Sequence, residues 1–152
     1  MSAKILFKLF LIVVVSGAFT TSGYTQSASK SIKKFTKSFS KSYNAKDHAA
    51  LTAMFTPDAV RIDTEGKATN GGAQIGADYA QVFSATDQKV VIKHAGVRDN
   101  PDGSAVANGT YTVTGTVKSS GDKIALAGTY ENTLVKQNGV WKISQMKLSA
   151  AK

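Results

Sequence analysis

Apolar and polar positions change period several times along the chain, and each change marks an element. From Lys30 to Tyr43 the apolar residues Ile32, Phe35, Phe39 and Tyr43 fall on one arc at 100° per residue. Lys30, Lys33, Lys34, Lys37 and Lys41 fall on the opposite arc, so the segment reads as a strongly amphipathic helix with a lysine ridge. Asp47 is a good N-cap for a second short helix, Ala49 to Phe55, which Pro57 should end. Asp58 to Asp63 reads as a short strand closed by a turn at Glu65-Gly66. A third helix is expected from Gly72 to Phe83, with Ile75, Tyr79, Val82 and Phe83 as its apolar stripe.

Beyond Phe83 the period falls to two. Four longer strands are separated by the turns Asn100-Pro101-Asp102-Gly103, Ser119-Ser120-Gly121-Asp122 and Asn138-Gly139. From Ala105 to Val117 the odd positions are apolar or glycine and the even ones are largely threonine. From Ile124 to Leu134 the apolar face holds Ile124, Leu126, Gly128, Tyr130 and Leu134, with Asn132 interrupting it. A buried amide needs partners, so Asn132 is either satisfied by neighbours or available to a ligand. The alternation changes phase between Ile92 and Ala95, and again between Ile143 and Met146. Both breaks read as bulges in a curved sheet. The first break leaves the direction of His94 open. Helices placed before an antiparallel meander define an α+β layer arrangement.

The amino terminus has a different character. Lys4 and Lys8 precede the apolar run Leu9–Val15, and Ser16-Gly17-Ala18 supplies the small residues at which a signal peptidase cuts. The uncharged apolar stretch ends near Phe19, after about 11 residues, against the roughly 20 needed to span a bilayer. Residues 1–18 are therefore expected to be a cleavable signal peptide, with a cut as late as 23–29 as the alternative. Residues 19–30 read as a small, polar linker and 31–150 as the domain. The expected location is periplasmic or secreted.

Composition narrows the classes further. The chain of 152 residues has no cysteine, which removes disulfides, thiolate metal sites and a lipid-anchoring cysteine. Two histidines far apart in sequence give little support to a metal site, and no cofactor is expected. Loss of Met1–Ala18 removes Lys4 and Lys8 but no acid, lowering the formal charge from +9 to +7. Six of those charges lie between Lys30 and Lys46. The bland account is a solvated helix face, and the sharper one is attraction to an anionic membrane surface or polymer. Nucleic acid is not an expected partner, because no aromatic residues interleave with the lysines.

Two segments carry a family resemblance. Phe39 to Asp63 (FSKSYNAKDHAALTAMFTPDAVRID) is similar to the opening of a SnoaL-like domain of the nuclear transport factor 2-like superfamily. Gly128 to Ile143 (GTYENTLVKQNGVWKI) resembles that family's last hairpin. The resemblance covers Ser31 to Ser149. It implies a cone-shaped α+β fold, with three N-terminal helices packed in a strongly bent, mostly antiparallel sheet. It also implies an open end that holds an apolar small molecule, and often a homodimer through the sheet. The fold does not fix the function, since the superfamily hosts isomerases, dehydratases, cyclases and modules without catalysis.

Candidate chemistry is sparse. Arg61 and Asp63 leave one face of the short strand, either as an ion pair at the rim or looking into the cone. Aligned with the ketosteroid-isomerase branch through Asn44-Ala45-Lys46-Asp47 and Phe55, that branch's general-base aspartate falls on Asp63. Its oxyanion-hole tyrosine falls on Phe39, which cannot donate, and its second donor falls near Asn132. Steroid isomerisation is therefore not the expected reaction. Asp63 remains the candidate base, with Asn132, Tyr111 or His94 as its partner. Phe39, Arg61, Tyr111, Tyr130, Asn132 and Trp141 are the expected ligand-binding wall, Trp141 and the tyrosines being core or pocket wall. Two function classes stay open: a module binding a small apolar or amphipathic molecule, and an isomerase-, dehydratase- or cyclase-type enzyme using Asp63. Mature protein recovered from its own host is expected to begin between Phe19 and Lys30 by amino-terminal sequencing. An intact terminus in a membrane fraction would contradict the signal assignment.

Overall fold

A computed structural model describes the backbone of residues 22–151 and the side chains of residues 28–151; the signal-peptide assignment lies outside them. Three helices, α1 (Ser22–Asn44), α2 (His48–Ala53) and α3 (Gly72–Ala85), accompany six strands. These are β1 (Phe55–Ile62), β2 (Ala68–Asn70), β3 (Thr86–Asp99), β4 (Ala105–Val117), β5 (Lys123–Gln137) and β6 (Val140–Ala150). They form one sheet in the order β2-β1-β6-β5-β4-β3. Only β1 and β6 run parallel; every other pair is antiparallel. This is the α+β arrangement expected from the sequence.

Both phase breaks are bulges. In β3, His94 and Gly96 face consecutive residues Gly109 and Asn108 of β4, leaving Ala95 as the extra residue. In β6, Ile143 and Gln145 face Leu134 and Thr133, leaving Ser144 over. Each bulge swaps inward and outward positions and bends its strand. Before Ala95 the inward residues are Gln88, Val90, Ile92 and His94; after it, Val97 turns inward. His94 therefore shares the inward face.

Glycine lets the bent strands carry large rings. Gly109 pairs with Tyr130 and Tyr111 pairs with Gly128 across β4 and β5. A Cβ at Gly109 would lie 2.1 Å from the Lys93 carbonyl oxygen and 2.8 Å from the Tyr130 ring. One at Gly128 would lie 2.1 Å from the Ser149 carbonyl oxygen and 2.8 Å from the Tyr111 hydroxyl. Each tyrosine thus packs against the bare backbone opposite it instead of standing up into the concave space.

The core fills the angle between helices and sheet. Ile32, Leu51, Ile75, Leu134 and Ile143 are fully buried. Phe39, Tyr43, Phe55, Tyr79 and Phe83 form a connected ring cluster in which four of six contacts are edge-to-face, the geometry that the ring quadrupoles favour.

Three boundaries differ from expectation. First, α1 runs through Ser22–Ser29, the segment read as a polar linker. These small, polar residues lack periodicity, but a helix already nucleated downstream extends at little cost. Second, α2 ends at Ala53 and β1 begins at Phe55, so Pro57 lies inside the strand. The β1–β6 register jumps there from Phe55↔Ile143 to Val60↔Gln145, and this break in the ladder accommodates a residue without an N–H. Third, β2 was not foreseen. Its three residues are exposed or half-buried and carry no alternation strong enough to signal a strand.

The edge strand β3 is guarded by α1. The Asn44 side chain donates from Nδ2 to the Val90 carbonyl at 3.0 Å and accepts the Val90 N–H at 2.8 Å, imitating a neighbouring strand. Lys46 follows in a left-handed conformation (φ 60°) and donates to the Gln88 carbonyl. Such plugs keep an open edge from pairing with another chain. Replacing Asn44 with alanine is expected to cost about 1 to 2 kcal/mol in denaturant unfolding and to raise self-association in sedimentation. An unchanged midpoint would refute the plug.

Candidate functional site

The concave face encloses a cavity of about 270 Å³ between α1, α3 and the sheet. Its wall is mostly apolar: Phe35 and Phe39 from α1, Val82 from α3, Val90 and Ile92 from β3, and Val113, Leu126, Met146 and Leu148 from the meander. Leu126 is 59% exposed, unusual for a large aliphatic residue. The polar groups in this wall are few, and each has a distinct environment.

Arg61 lines the cavity from β1, the second of the two placements its alternation with Val60 and Ile62 left open. Its partner differs from the one expected. Nη2 of Arg61 lies 2.6 Å from Oδ2 of Asp78 on α3, and the guanidinium sits 5.3 Å from the Tyr79 ring centre. Thr69 of β2 donates to the same carboxylate oxygen at 3.1 Å, and Gln74 donates to the other at 3.2 Å. The unforeseen strand β2 thus helps to fix a half-buried ion pair. Asp78 flanks the apolar stripe of α3 one position before Tyr79. That offset was the only sequence signal for it, and it did not single the residue out.

Asp63 also lines the cavity, next to Thr64 at the end of β1. Its Oδ1 accepts the N–H groups of Glu65 and Lys67, each at 2.9 Å. The carboxylate therefore holds the turn between β1 and β2. Among the described residues it has no ion pair, so the rim pair of Arg61 with Asp63 is replaced by Arg61 with Asp78.

Four tyrosines surround the space. Tyr43 accepts a hydrogen bond from the Gln88 amide at 2.5 Å, and burial, then the neighbouring Tyr79, push its phenol up to about 12. Burial likewise raises Tyr79, Tyr111 and Tyr130 above the ordinary phenol value. The Tyr79 hydroxyl points at the Met146 sulfur, 3.9 Å away. Tyr130 Oη lies 3.4 Å from Nδ1 of His94. Tyr111 has no hydrogen-bond partner among the described residues, and neither has the buried Oδ1 of Asn132. The interruption in the β5 pattern thus lines the cavity with a residue whose carbonyl oxygen is buried and unpaired.

Of the expected site residues, the fold gathers Phe39, Arg61, Asp63, Tyr111, Tyr130 and Asn132 around one cavity. Trp141 is not among them. It is a core residue near the β5–β6 turn, with Lys136 Nζ 5.0 Å from its ring centre. His94 is also outside the cavity wall. It faces a groove between α1 and β3 with Lys33 and Lys37. Burial, then the Lys33 charge, lower its pKa, so the imidazole is neutral at neutral pH.

A curled sheet closed over three helices, with an apolar cavity at its concave face, defines the ketosteroid isomerase-like, nuclear transport factor 2-like cone fold. Residues 26–147 match the SnoaL-like domain model, and the chain belongs to that family. Solved structures agree. A Xanthomonas campestris protein described as a calcium/calmodulin dependent protein kinase II association domain is 24% identical, with TM-score 0.68 over 80% of this chain and 86% of its own. A ketosteroid isomerase-like protein from Erwinia carotovora atroseptica is 21% identical, with TM-score 0.66 over 74% and 87%. An uncharacterised Caulobacter vibrioides protein with a cystatin-like fold is 18% identical, with TM-score 0.71 over 86% and 92%. At these identities the likeness is one of fold. Comparison with curated proteins gives no match.

The raised phenols have a consequence for pH. A phenol whose folded value exceeds its unfolded value of 10.0 favours the folded state while neutral. That contribution is complete below pH 10 and is lost as pH rises through about 12. Denaturant midpoints are expected to fall over this window, less steeply in a Tyr43→Phe protein. A flat profile above pH 10 would contradict the burial of these hydroxyls.

Proposed function

We propose that this SnoaL-like protein is exported and binds a compact, largely apolar molecule in its cavity. The observation that carries this reading is a mostly apolar wall in which two polar groups lack a partner among the described residues. The Tyr111 hydroxyl is a donor, and the Asn132 carbonyl oxygen is an acceptor. A buried polar atom left unpaired costs about 1 to 3 kcal/mol, and a ligand that pairs it recovers that cost. The ligand chemistry that fits is an apolar body with a hydroxyl or N–H directed at Asn132 and an acceptor within reach of Tyr111. Because Asp78 already neutralises Arg61, the wall does not call for an acidic ligand.

The alternative reading is an isomerase-, dehydratase- or cyclase-type enzyme using Asp63 as base. Its support is the place of Asp63 on the cavity wall. Against it stands the use of Oδ1 in the β1–β2 turn. No histidine lies in the cavity wall to share the proton.

Native mass spectrometry of the exported protein from its own host is expected to show a co-purified small molecule. The same spectrum reads the oligomeric state, for which a homodimer through the sheet is expected. Asn132→Leu should abolish that binding while leaving stability equal or raised by about 1 kcal/mol, since an unpaired acceptor is removed. Ligand retained at full occupancy in Asn132→Leu would overturn the assignment. Asp63→Asn keeps the turn acceptor and should leave binding intact. If Asp63 is instead a base, turnover in a substrate screen should fall roughly 100-fold or more.

A further inference from the structure

A second concavity lies outside the cavity, in the groove between α1 and β3. Its lining includes Lys33, Lys37 and Ser40 from α1 and Val91 and His94 from β3; Thr36, Val90 and Ile92 are common to the groove and the cavity. Lys33 and Lys37 are one helical turn apart, so both ammonium groups can reach the same point. Neither has an ion-pair partner among the described residues. The reason is visible in the sequence: α1 contains no acidic residue, and β3 contains none between Asp87 and Asp99. The two elements that make the groove therefore bring positive charge together without compensating it.

His94 adds a directed donor. The Tyr130 hydroxyl lies against Nδ1, at 3.4 Å. Once protonated, as an adjacent anion favours, the ring donates from Nε2 while Nδ1 faces Tyr130. The groove thus offers two ammonium groups, an imidazole N–H and the Ser40 hydroxyl, on a floor that includes the 58%-exposed Val91. Lysine meets anions as a point charge, and several donors converging from different directions suit a tetrahedral oxyanion better than a planar carboxylate.

We propose that the groove formed by Lys33, Lys37, Ser40 and His94 is a binding site for a phosphate group, carried either by a soluble phosphate or by a lipid headgroup. The site neighbours the ligand cavity but draws its charged groups from outside it, and it stands whether or not the cavity reading holds. It adjoins the cavity through Thr36, Val90 and Ile92, which line both, and through the contact of His94 with the Tyr130 hydroxyl.

Two-dimensional NMR of the full domain tests this with inorganic phosphate in one arm and phosphatidylglycerol vesicles in the other. An anion beside His94 favours the imidazolium, so phosphate should shift the His94 ring signals and raise its titration midpoint. Lys33→Gln/Lys37→Gln should weaken the effect about tenfold or more. Lys34→Gln/Lys41→Gln removes the same charge from the ridge outside the groove and should leave it unchanged. A response to phosphate identifies a soluble ligand; a response to vesicles alone identifies a headgroup. Either sustains the site. No response of His94 in either arm at millimolar phosphate or saturating lipid would overturn it. So would an equal response in both double variants, which would show only the general attraction of a basic helix.

Discussion

Side chains alternate strictly along a strand, so a sheet that curls round three helices must break that alternation somewhere. Here it does so at Ala95 and Ser144. Without the first break Val97 would face solvent; without the second Met146 and Leu148 would. The two extra residues therefore decide which groups meet at the concave face, as well as how far the sheet bends. The apolar wall of the cavity follows from them.

Charge is handled differently within the cone and on its outer surface. Inside, Arg61 is paired with Asp78, and the pair is tied down by Thr69 and Gln74. Removing one partner would strand a half-buried charge, which costs far more than an exposed pair contributes. Outside, the lysines of α1 have no acidic neighbour on their own helix. The Arg61 charge is thus neutralised inside, where Asp63 is held by turn N–H groups, and much of the positive charge of the molecule lies on one exposed flank.

Much of this was legible in the residues. Period-two alternation placed the four long strands, and the glycine-containing turns placed the connections between them. The bulges showed as phase breaks, and Asn132 showed as a polar residue in an apolar row. What escaped has physical causes. Asp78 could not be matched to Arg61 because the pairing depends on how α3 crosses β1, which local pattern does not encode. Trp141 is apolar and inward, but nothing local distinguishes the packed end of a core from the wall of a cavity. The orientation of His94 needed the register of β3 against β4, and a one-residue slip would have reversed it. The strand β2 exists because Val60 to Ile62 offers an edge to pair with, not because Ala68-Thr69-Asn70 favours extension.

The sheet order has a bearing on how the chain reaches this state. β6, the last strand to be synthesised, lies between β1 and β5 and is the sole strand joining the β1–β2 ribbon to the meander. Residues Val60 to Ile62 wait for partners at Gln145 to Lys147, more than eighty positions later. Loop-closure entropy makes such distant pairing slow, and until it occurs the inner edge of β1 has no neighbour. The sheet therefore cannot be completed strand by strand in chain order. Docking of the β1–β2 ribbon is a late, long-range event, and the topology makes closure of the sheet a single cooperative step.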